Sequence, residues 1–527
     1  MKRLFLRQSI TEAAVLITLM ATFSRFLGFL RETMIAAFFG AKKFTDSFVV
    51  ASAVPSILAG LVAGAISSVF IPLYAEWKEK YGKEESERFA SILLSNIFAI
   101  LFFVTILSYI LSPIIISILA PGFNEESKNL AIYLSYIMLP SIIFWGTYGL
   151  VTGIFNSQKS FFLPNLAGVL GNVIFIIFIF FLHKYLGVYA LAWGSLANVV
   201  FQYVVLLPYL SKIGFHLKWE LNFKYEGVKK ALYLIAPIFI AQSIGLINMA
   251  VDRIFGSYLP EGSISALNYA SRLYQLPLNL FVNALASATY TDFAFIAQSE
   301  DLSNLKTSME KTLRAVLFFV IPASLGFMFL AKPIVQLAFE RGLFDSLATK
   351  RTSESLIFYS LGLTFMSINT ILVRVFFSLH DTKTPTINSI IALISNILLN
   401  LIFIKPLAHM GLALATSCAS FISTILLYRS LKKKIYEPFS KDLFEKIKLF
   451  IIGGAIIGFI AFFSYNFLWS ILPKNQLSLA ISLLSSIGAS VLVYLYLGSK
   501  WKLEEARRIF SIFRRNLELL SQFMGLK

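Results

Sequence analysis

Apolar residues in this chain do not alternate with polar ones; they come in runs of about twenty or more, broken by short polar links. A hydrocarbon core of about 30 Å is crossed by about 20 helical residues, so each run predicts one transmembrane helix. Fourteen are read, at 12–39, 46–73, 89–119, 129–156, 161–183, 187–210, 228–258, 264–296, 312–338, 354–379, 385–405, 410–430, 446–470 and 477–498. A barrel would show segments of about ten residues of alternating character. None occurs, which leaves helices to satisfy the backbone within lipid. The first run follows Lys2, Arg3 and Arg7 but lacks an A-x-A-like cleavage site and is too long for a signal-peptide core, so it reads as a retained span. The end of the chain has a different period. From Lys500 to Lys527, Leu503, Ala506, Ile509, Phe510, Phe513, Leu517 and Leu520 recur at helical spacing opposite basic residues, which predicts an amphipathic helix on the cytoplasmic membrane surface.

The pattern also repeats. At a shift of about 220 residues, Phe102-Phe103-Val104 resembles Phe318-Phe319-Val320, and Ser112-Pro113-Ile114 falls on Lys332-Pro333-Ile334. Pro164 with Asn172 falls near Pro385 with Asn396, and Gly187 to Ala192 echoes Gly411 to Ala415. The expected architecture is an all-α membrane protein of two six-helix lobes, 1–215 and 216–435, enclosing a central cavity. Helices 13 and 14, in 436–499, have no repeat partner, and a cytoplasmic tail follows at 500–527. Six helices per lobe is an even number, so the repeat is parallel, about an axis along the membrane normal.

Composition agrees with a chain solvated mostly by lipid. Hydrophobic residues make up 57% and charged residues only 14%, with a mean hydropathy of +0.76, where soluble domains carry about a quarter charged residues. The net charge of +18 would suit nucleic acid, but its distribution argues otherwise. Basic clusters at Lys78, Lys80, Lys83 and Arg88, from Lys212 to Lys230, from Arg429 to Lys448 and in the tail all fall on one side of the predicted spans. That asymmetry is the positive-inside pattern, and it predicts both termini in the cytoplasm and no nucleic-acid partner. The single cysteine, Cys418, lies inside an apolar run, which excludes an internal disulfide or a cysteine metal cluster.

Charges within the spans carry the chemistry, because an Arg at a span centre costs at least about 2.5–3.5 kcal/mol and turns toward protein or an aqueous cavity. Arg25 and Arg31 lie in helix 1, Arg253 in helix 7, Arg272 in helix 8 and Arg374 in helix 10. Converging guanidinium groups suit a phosphate or diphosphate through bidentate hydrogen bonds. The competing reading is pairing with a nearby acid: Arg31 with Glu32 or Asp46, and Arg253 with the adjacent Asp252. Arg25 and Arg272 have no acid close in sequence and are read as substrate contacts. Asp252, Asn396, Asn400, Thr416 and a backbone carbonyl such as that of Leu412 would suit a small hard cation like Na⁺. The same residue types also serve as interhelical hydrogen bonds in membranes.

Ser24-Arg25-Phe26-Leu27-Gly28-Phe29-Leu30-Arg31-Glu32, then Phe39-Gly40, Thr45-Asp46-Ser47-Phe48 and Phe70-Ile71-Pro72-Leu73-Tyr74-Ala75-Glu76, resemble the opening of the MurJ (MviN) lipid II flippases. Tyr269-Ala270-Ser271-Arg272-Leu273 and Asp381-Thr382-Lys383-Thr384-Pro385 resemble that family's second-lobe motifs, the latter shared with the wider multidrug and polysaccharide exporter superfamily. The resemblance covers essentially the whole chain. It implies an alternating-access transporter of the bacterial inner membrane that moves undecaprenyl-diphosphate-linked peptidoglycan precursor to the periplasmic leaflet. Ser24, Arg25, Arg31, Asp46, Arg272 and Arg374 would line the head-group site, and a groove formed with helices 13 and 14 would shelter the lipid tail. A sodium site of Asp252, Asn396, Asn400, Leu412 and Thr416 would couple transport to Na⁺. The expected partners are the lipid-linked precursor, membrane lipids and cell-wall synthesis proteins, with the chain a monomer. One departure concerns helix 2, where the family carries an Arg pair and a Glu after the Pro. Here Pro55 is followed by Ser56-Ile57-Leu58-Ala59-Gly60, with Gly64 near the expected Glu. Either Arg374 compensates or the cargo differs.

No Walker A sequence occurs, so direct use of ATP is not expected. Three alternatives stand beside the flippase: a drug or polysaccharide-lipid exporter, a membrane enzyme acting on polyprenyl phosphates, and a structural scaffold. The enzyme would need clustered acids for Mg²⁺, whereas Asp46, Asp252, Asp292 and Asp381 are scattered.

Overall fold

A computed structural model of the chain describes residues 10–298 and 302–511, and among these every regular element is helical. In chain order the helices are α1 Ile10–Phe39, α2 Lys43–Leu119, α3 Glu125–Met138, α4 Ser141–Ser157, α5 Phe162–Leu186, α6 Tyr189–Leu210, α7 Glu226–Ser257, α8 Ser263–Pro277, α9 Asn283–Ala297, α10 Leu302–Phe339, α11 Ser346–Ser378, α12 Lys383–Leu407, α13 His409–Lys432, α14 Lys441–Ile471 and α15 Gln476–Lys500. At 1.5 Å per residue the 77 residues of α2 reach about 115 Å, far beyond one bilayer. Gly82 breaks it with a non-helical φ of 83°, so α2 contains two predicted spans and the polar link between them. Helices α3 and α4 meet at a 42° bend at Leu139-Pro140, where the proline removes a backbone donor. A π turn, Leu278–Val282, joins α8 to α9 across the predicted span 264–296.

Each of the fourteen predicted spans coincides with helix, but length and apolarity qualify ten helices, or eleven if the bent α3–α4 pair is one span. α2 is counted once among the ten. α1 and α7, in which some side chains are not described, are not among the ten.

Contacts divide the chain into two compact units. One runs to Ser265 and includes Arg341–Asp345; the other comprises Ala266–Glu340 and the chain from Ser346 onward. In the first, α2 packs on α3, α4 and α7, while α5 packs on α1 and α6. Gly146 and Gly153 of α4 allow this close approach, since a side chain there would meet Leu101 or Phe70 of α2. Compactness therefore draws its line later than the repeat boundary at 215/216, because α7 packs on α2. Arg341–Asp345 lies against the end of α1: Leu343 N–H donates to the Ala37 carbonyl at 2.8 Å. Gly40 and Gly342, both at positive φ, leave room for the two backbones to cross.

In the second unit α10 packs on α11, α11 on α13 and α13 on α12, while α14 and α15 pack on α10 and on each other. Phe318, Phe450 and Tyr494 are buried together there, with the Tyr494 hydroxyl donating to the Phe318 carbonyl at 3.0 Å. The start of the tail departs from its expected place on the membrane surface. After α15 the Leu503 amide bonds back to Gly498 O at 2.9 Å, and helix resumes over 504–511. Leu503 and Ala506 are fully buried in the core of this unit, so their apolar face meets protein and not lipid. Arg314 of α10 holds the turn with Asp442 at 3.2 Å, Glu504 at 3.0 Å and Glu505 at 3.2 Å. Phe513, Leu517 and Leu520 lie outside the described residues.

Candidate functional site

In the first unit the predicted head-group residues sit where α1 packs on α5. Ser24 is half-buried, and its hydroxyl and carbonyl accept from Asn172 Nδ2 of α5 at 3.2 and 3.4 Å. Asn172 Oδ1 in turn accepts from Arg31 Nη1 at 3.3 Å, and Arg31 Nη2 pairs with Glu32 at 3.0 Å. The Arg31 guanidinium also lies over the Phe175 ring, 5.0 Å from its centroid. Of the acids the sequence offered Arg31, Glu32 is the one that pairs with it. Arg25, by contrast, is exposed and has no ion pair among the described residues. Between them a side chain added at Gly28 would meet nothing within 4 Å, so this surface of α1 is open. Arg25 and Arg31 are about 9 Å apart along the helix axis.

Asp46, at the start of α2, is buried, and its carboxylate is fully engaged by protein. It accepts from the Gly262 amide at 2.6 Å, the Ser265 amide at 2.7 Å and the Ser265 hydroxyl at 2.5 Å. These amides belong to the turn that opens α8, whose first N–H groups have no partner within the helix. Asp46 is thus a helix cap, and the charge of Arg253 on α7 acts on it from nearby. Asp252 is half-buried beside Arg253. The helix-2 position where the family carries Glu is filled from α7: a side chain at Gly64 would collide with the Gln242 amide.

In the second unit Arg272 is exposed on α8, and Arg374 of α11 is half-buried over the Tyr290 ring, 5.4 Å from its centroid. Asp381 opens α12 from the loop before it, accepting from the Thr384 amide at 2.9 Å and hydroxyl at 2.7 Å, with Lys434 at 3.1 Å. Burial alone would raise its carboxyl, but these donors draw it below the ordinary aspartate value.

Asn396, Asn400, Leu412 and Thr416 form one buried chain between α12 and α13. Asn400 Nδ2 donates to Asn396 Oδ1 at 3.0 Å, Asn396 Nδ2 to Thr416 Oγ1 at 3.4 Å, and Thr416 Oγ1 to the Leu412 carbonyl at 3.1 Å. Asn400 Oδ1 is buried with no donor among the described residues. The oxygens match a small hard cation in kind, and the orphaned Asn400 oxygen is the feature that fits one. Asp252 belongs to the other unit. Among the described residues no group of three or more His, Cys, Asp or Glu is arranged to hold a metal.

The same unit contains an apolar groove of about 300 Å³ between α10, α14 and α15, lined by Phe319, Gly326, Phe327, Leu330, Ile457 and Val491 among others. Aromatic rings of Phe318, Phe319, Phe327 and Tyr494 wall the gap, and Gly326, without a side chain, leaves it open. The family resemblance implied a shelter for a lipid tail formed with the last two of these helices.

Two of these participants were not singled out as site residues from sequence. Asn172 was noted only as a repeat landmark, and Gln242 not at all. An Asn or Gln in an apolar span is itself a costly group and was the available signal.

Comparison with known proteins accords with this geometry. The family model "Lipid II flippase MurJ" matches residues 35–478. The probable lipid II flippase MurJ of Buchnera aphidicola subsp. Schizaphis graminum is 32% identical over 492 residues, covering 92% of this chain and 96% of the relative. The lipid II flippase MurJ of Burkholderia cenocepacia is 30% identical over 493 residues, covering 91% and 94%. A solved structure of lipid II flippase MurJ in an inward closed conformation superposes with a TM-score of 0.78 at 30% identity, covering 92% of this chain and 98% of that one. An inward-facing multidrug resistance MATE family transporter of the MOP superfamily gives a TM-score of 0.66 at 16% identity, covering 79% and 95%, a likeness of fold alone.

Proposed function

Because the chain belongs to the lipid II flippase MurJ family, we propose that it moves lipid II, the undecaprenyl-diphosphate-linked peptidoglycan precursor, from the cytoplasmic to the periplasmic leaflet by alternating access. Both termini face the cytoplasm in this reading, and the chain works as a monomer without covalent chemistry on its cargo. The observation that carries it is Arg25: a guanidinium within a membrane helix, exposed, without an ion pair among the described residues, beside the open surface at Gly28. Such a group is expensive in lipid unless water or an anion meets it.

Each part of the cargo then has a counterpart. Arg25 contacts the diphosphate; Arg31 is held by Glu32 and Asn172 and contributes field more than direct hydrogen bonds. The groove on α10, α14 and α15 keeps the apolar tail. Energy comes from Na⁺ at Asn396, Asn400, Leu412 and Thr416, with the membrane potential adding about 2.3 kcal/mol per charge per 100 mV. The test is complementation of a flippase-depleted bacterium by this chain, together with lipid II binding in the presence and absence of cationic drugs. Growth rescue and binding indifferent to the drugs support the reading. A drug exporter is the second reading, favoured by Gly64 and the neutral Gln242 at the helix-2 position, and binding of drugs alone would establish it.

The groove makes its own prediction. A side chain at Gly326 meets nothing within 4 Å, although Gly326 lines the groove. Gly326→Phe is therefore expected to occupy the groove, lowering lipid II flipping about tenfold, a loss of about 1.4 kcal/mol of tail contact. Thermal stability of the purified chain should be unchanged or higher. Undiminished flipping in proteoliposomes would remove the groove from the mechanism.

A further inference from the structure

Between the sixth and seventh predicted spans, residues 215–222 run without helix along α2 from the end of its polar link into its second predicted span, and alternate amides are held by side chains of that helix. His216 N–H donates to Glu87 Oε2 at 3.3 Å, Lys218 N–H to Ser91 Oγ at 3.3 Å, Glu220 N–H to Ser95 Oγ at 3.3 Å and Asn222 N–H to Asn96 Oδ1 at 3.1 Å. For the first three bonds the match is geometric: Glu87, Ser91 and Ser95 are four apart on the helix and rise about 6 Å per step, and alternate residues of an extended chain are about 6.6 Å apart. Asn96 Nδ2 returns a bond to the Asn222 carbonyl at 2.9 Å, and Arg88 grips Glu220 at 2.9 and 3.1 Å. At the far end Tyr225 OH accepts from Trp77 Nε1 at 3.1 Å and donates to Glu85 at 2.8 Å. The strap is thus immobilised before anything binds it.

Its two faces differ. The odd-numbered side chains Trp219, Leu221 and Phe223 are 62%, 65% and 50% exposed, an apolar row that a soluble surface would not present. Trp219 lies edge-on against Phe98 of α2, with centroids 5.3 Å apart. One turn further along that helix come Phe102 and Phe103, exposed on a predicted membrane span. The apolar row is therefore continuous with a lipid-facing surface and sits at its polar end. The opposite face carries the exposed Lys218 and Lys224, neither in an ion pair among the described residues, and Lys212 precedes them over the Tyr209 ring.

We propose that the strap from Lys212 to Lys224 is a binding seat for anionic phospholipid, with Trp219, Leu221 and Phe223 entering the boundary between head groups and acyl chains and Lys212, Lys218 and Lys224 reaching the lipid phosphates. An aromatic–apolar face with flexible lysines opposite is the arrangement that lets a segment lie in a membrane interface while its charges snorkel to phosphate. In the proposed orientation this is the cytoplasmic leaflet, whose surface is anionic. The seat is separate from the lipid II site and does not depend on it.

Two measurements on the full chain test this. In vesicles, the emission of Trp219, taken as the difference between wild type and Trp219→Phe, is expected to be quenched by lipids brominated near the head group and shielded from aqueous iodide. In detergent, phosphatidylglycerol is expected to raise the melting temperature, and the concentration giving half that rise should increase about tenfold or more in Lys212→Gln/Lys218→Gln/Lys224→Gln, at about fivefold per lysine near a surface. Quenching by iodide without quenching by brominated lipid, which would leave the strap's free edge for an extended peptide, overturns the proposal. An unchanged half-point in the triple variant, or an equal rise with inorganic phosphate, overturns it as well. Should the triple variant fail to fold, the fluorescence result decides alone.

Discussion

Arg25→Ala is expected to slow lipid II flipping about ten- to a hundredfold while leaving thermal stability essentially unchanged. The first half follows from the strength of charge-assisted hydrogen bonds to phosphate, about 1.5–3 kcal/mol each when the anion is desolvated. The second follows from the structure: Arg25 is exposed and has no ion pair among the described residues, so its removal strands no acid. Arg25→Lys should recover only part of the rate, because an ammonium keeps the charge but not the planar fork. Arg31→Ala provides the contrast. Arg31 bridges Asn172 and Glu32 and covers Phe175, so its loss should lower the melting temperature as well as the rate. Flipping assays in proteoliposomes paired with melting curves separate the two behaviours. Wild-type flipping by Arg25→Ala would sink the assignment of that guanidinium to the cargo.

Asp46→Ala is expected to destabilise the chain by about 3–5 kcal/mol, read as a drop of several degrees in melting temperature and a loss of folded protein in the membrane. The carboxylate accepts three hydrogen bonds in a buried position, two of them from the Gly262 and Ser265 amides of the turn that opens α8. Removing it leaves those donors dry. Asp46→Asn should fall between, since one amide oxygen still accepts while the NH₂ group faces an N–H of the same turn. The sequence reading had assigned Asp46 to the substrate. A variant that melts like wild type but does not flip would restore that assignment and remove the cap.

How much of the site was legible depends on distance along the chain. Arg25, Arg31, Arg272 and Arg374 were found because a charge in an apolar run is conspicuous by itself. Both cargo contact and ion pairing were open for Arg31, and only the structure brings Asn172 and Glu32 against it. Asn172 lies on α5, far from Arg31 in sequence, and an asparagine is too common to nominate without that proximity. Gln242 was invisible for the same reason: its meaning comes from Gly64, on another helix, having no side chain. At the start of the tail Leu503 and Ala506 repeat at the spacing of an interfacial helix yet are buried, because periodicity cannot tell a lipid-facing stripe from one that packs on protein. The turn closed by Leu503 and the Arg314 ion pairs brought that stripe back onto α10.

By itself the sequence determined which segments are helical and membrane-spanning, the family and the identity of the costly charges, since each is set by local transfer energetics that need no partner. Tertiary structure alone decided which of those charges are already satisfied, where the apolar groove opens and which face of the 212–224 link is bare. Hydrogen bonds and packing depend on groups brought together from remote positions, and an apolar or charged residue carries no local mark of what will stand opposite it.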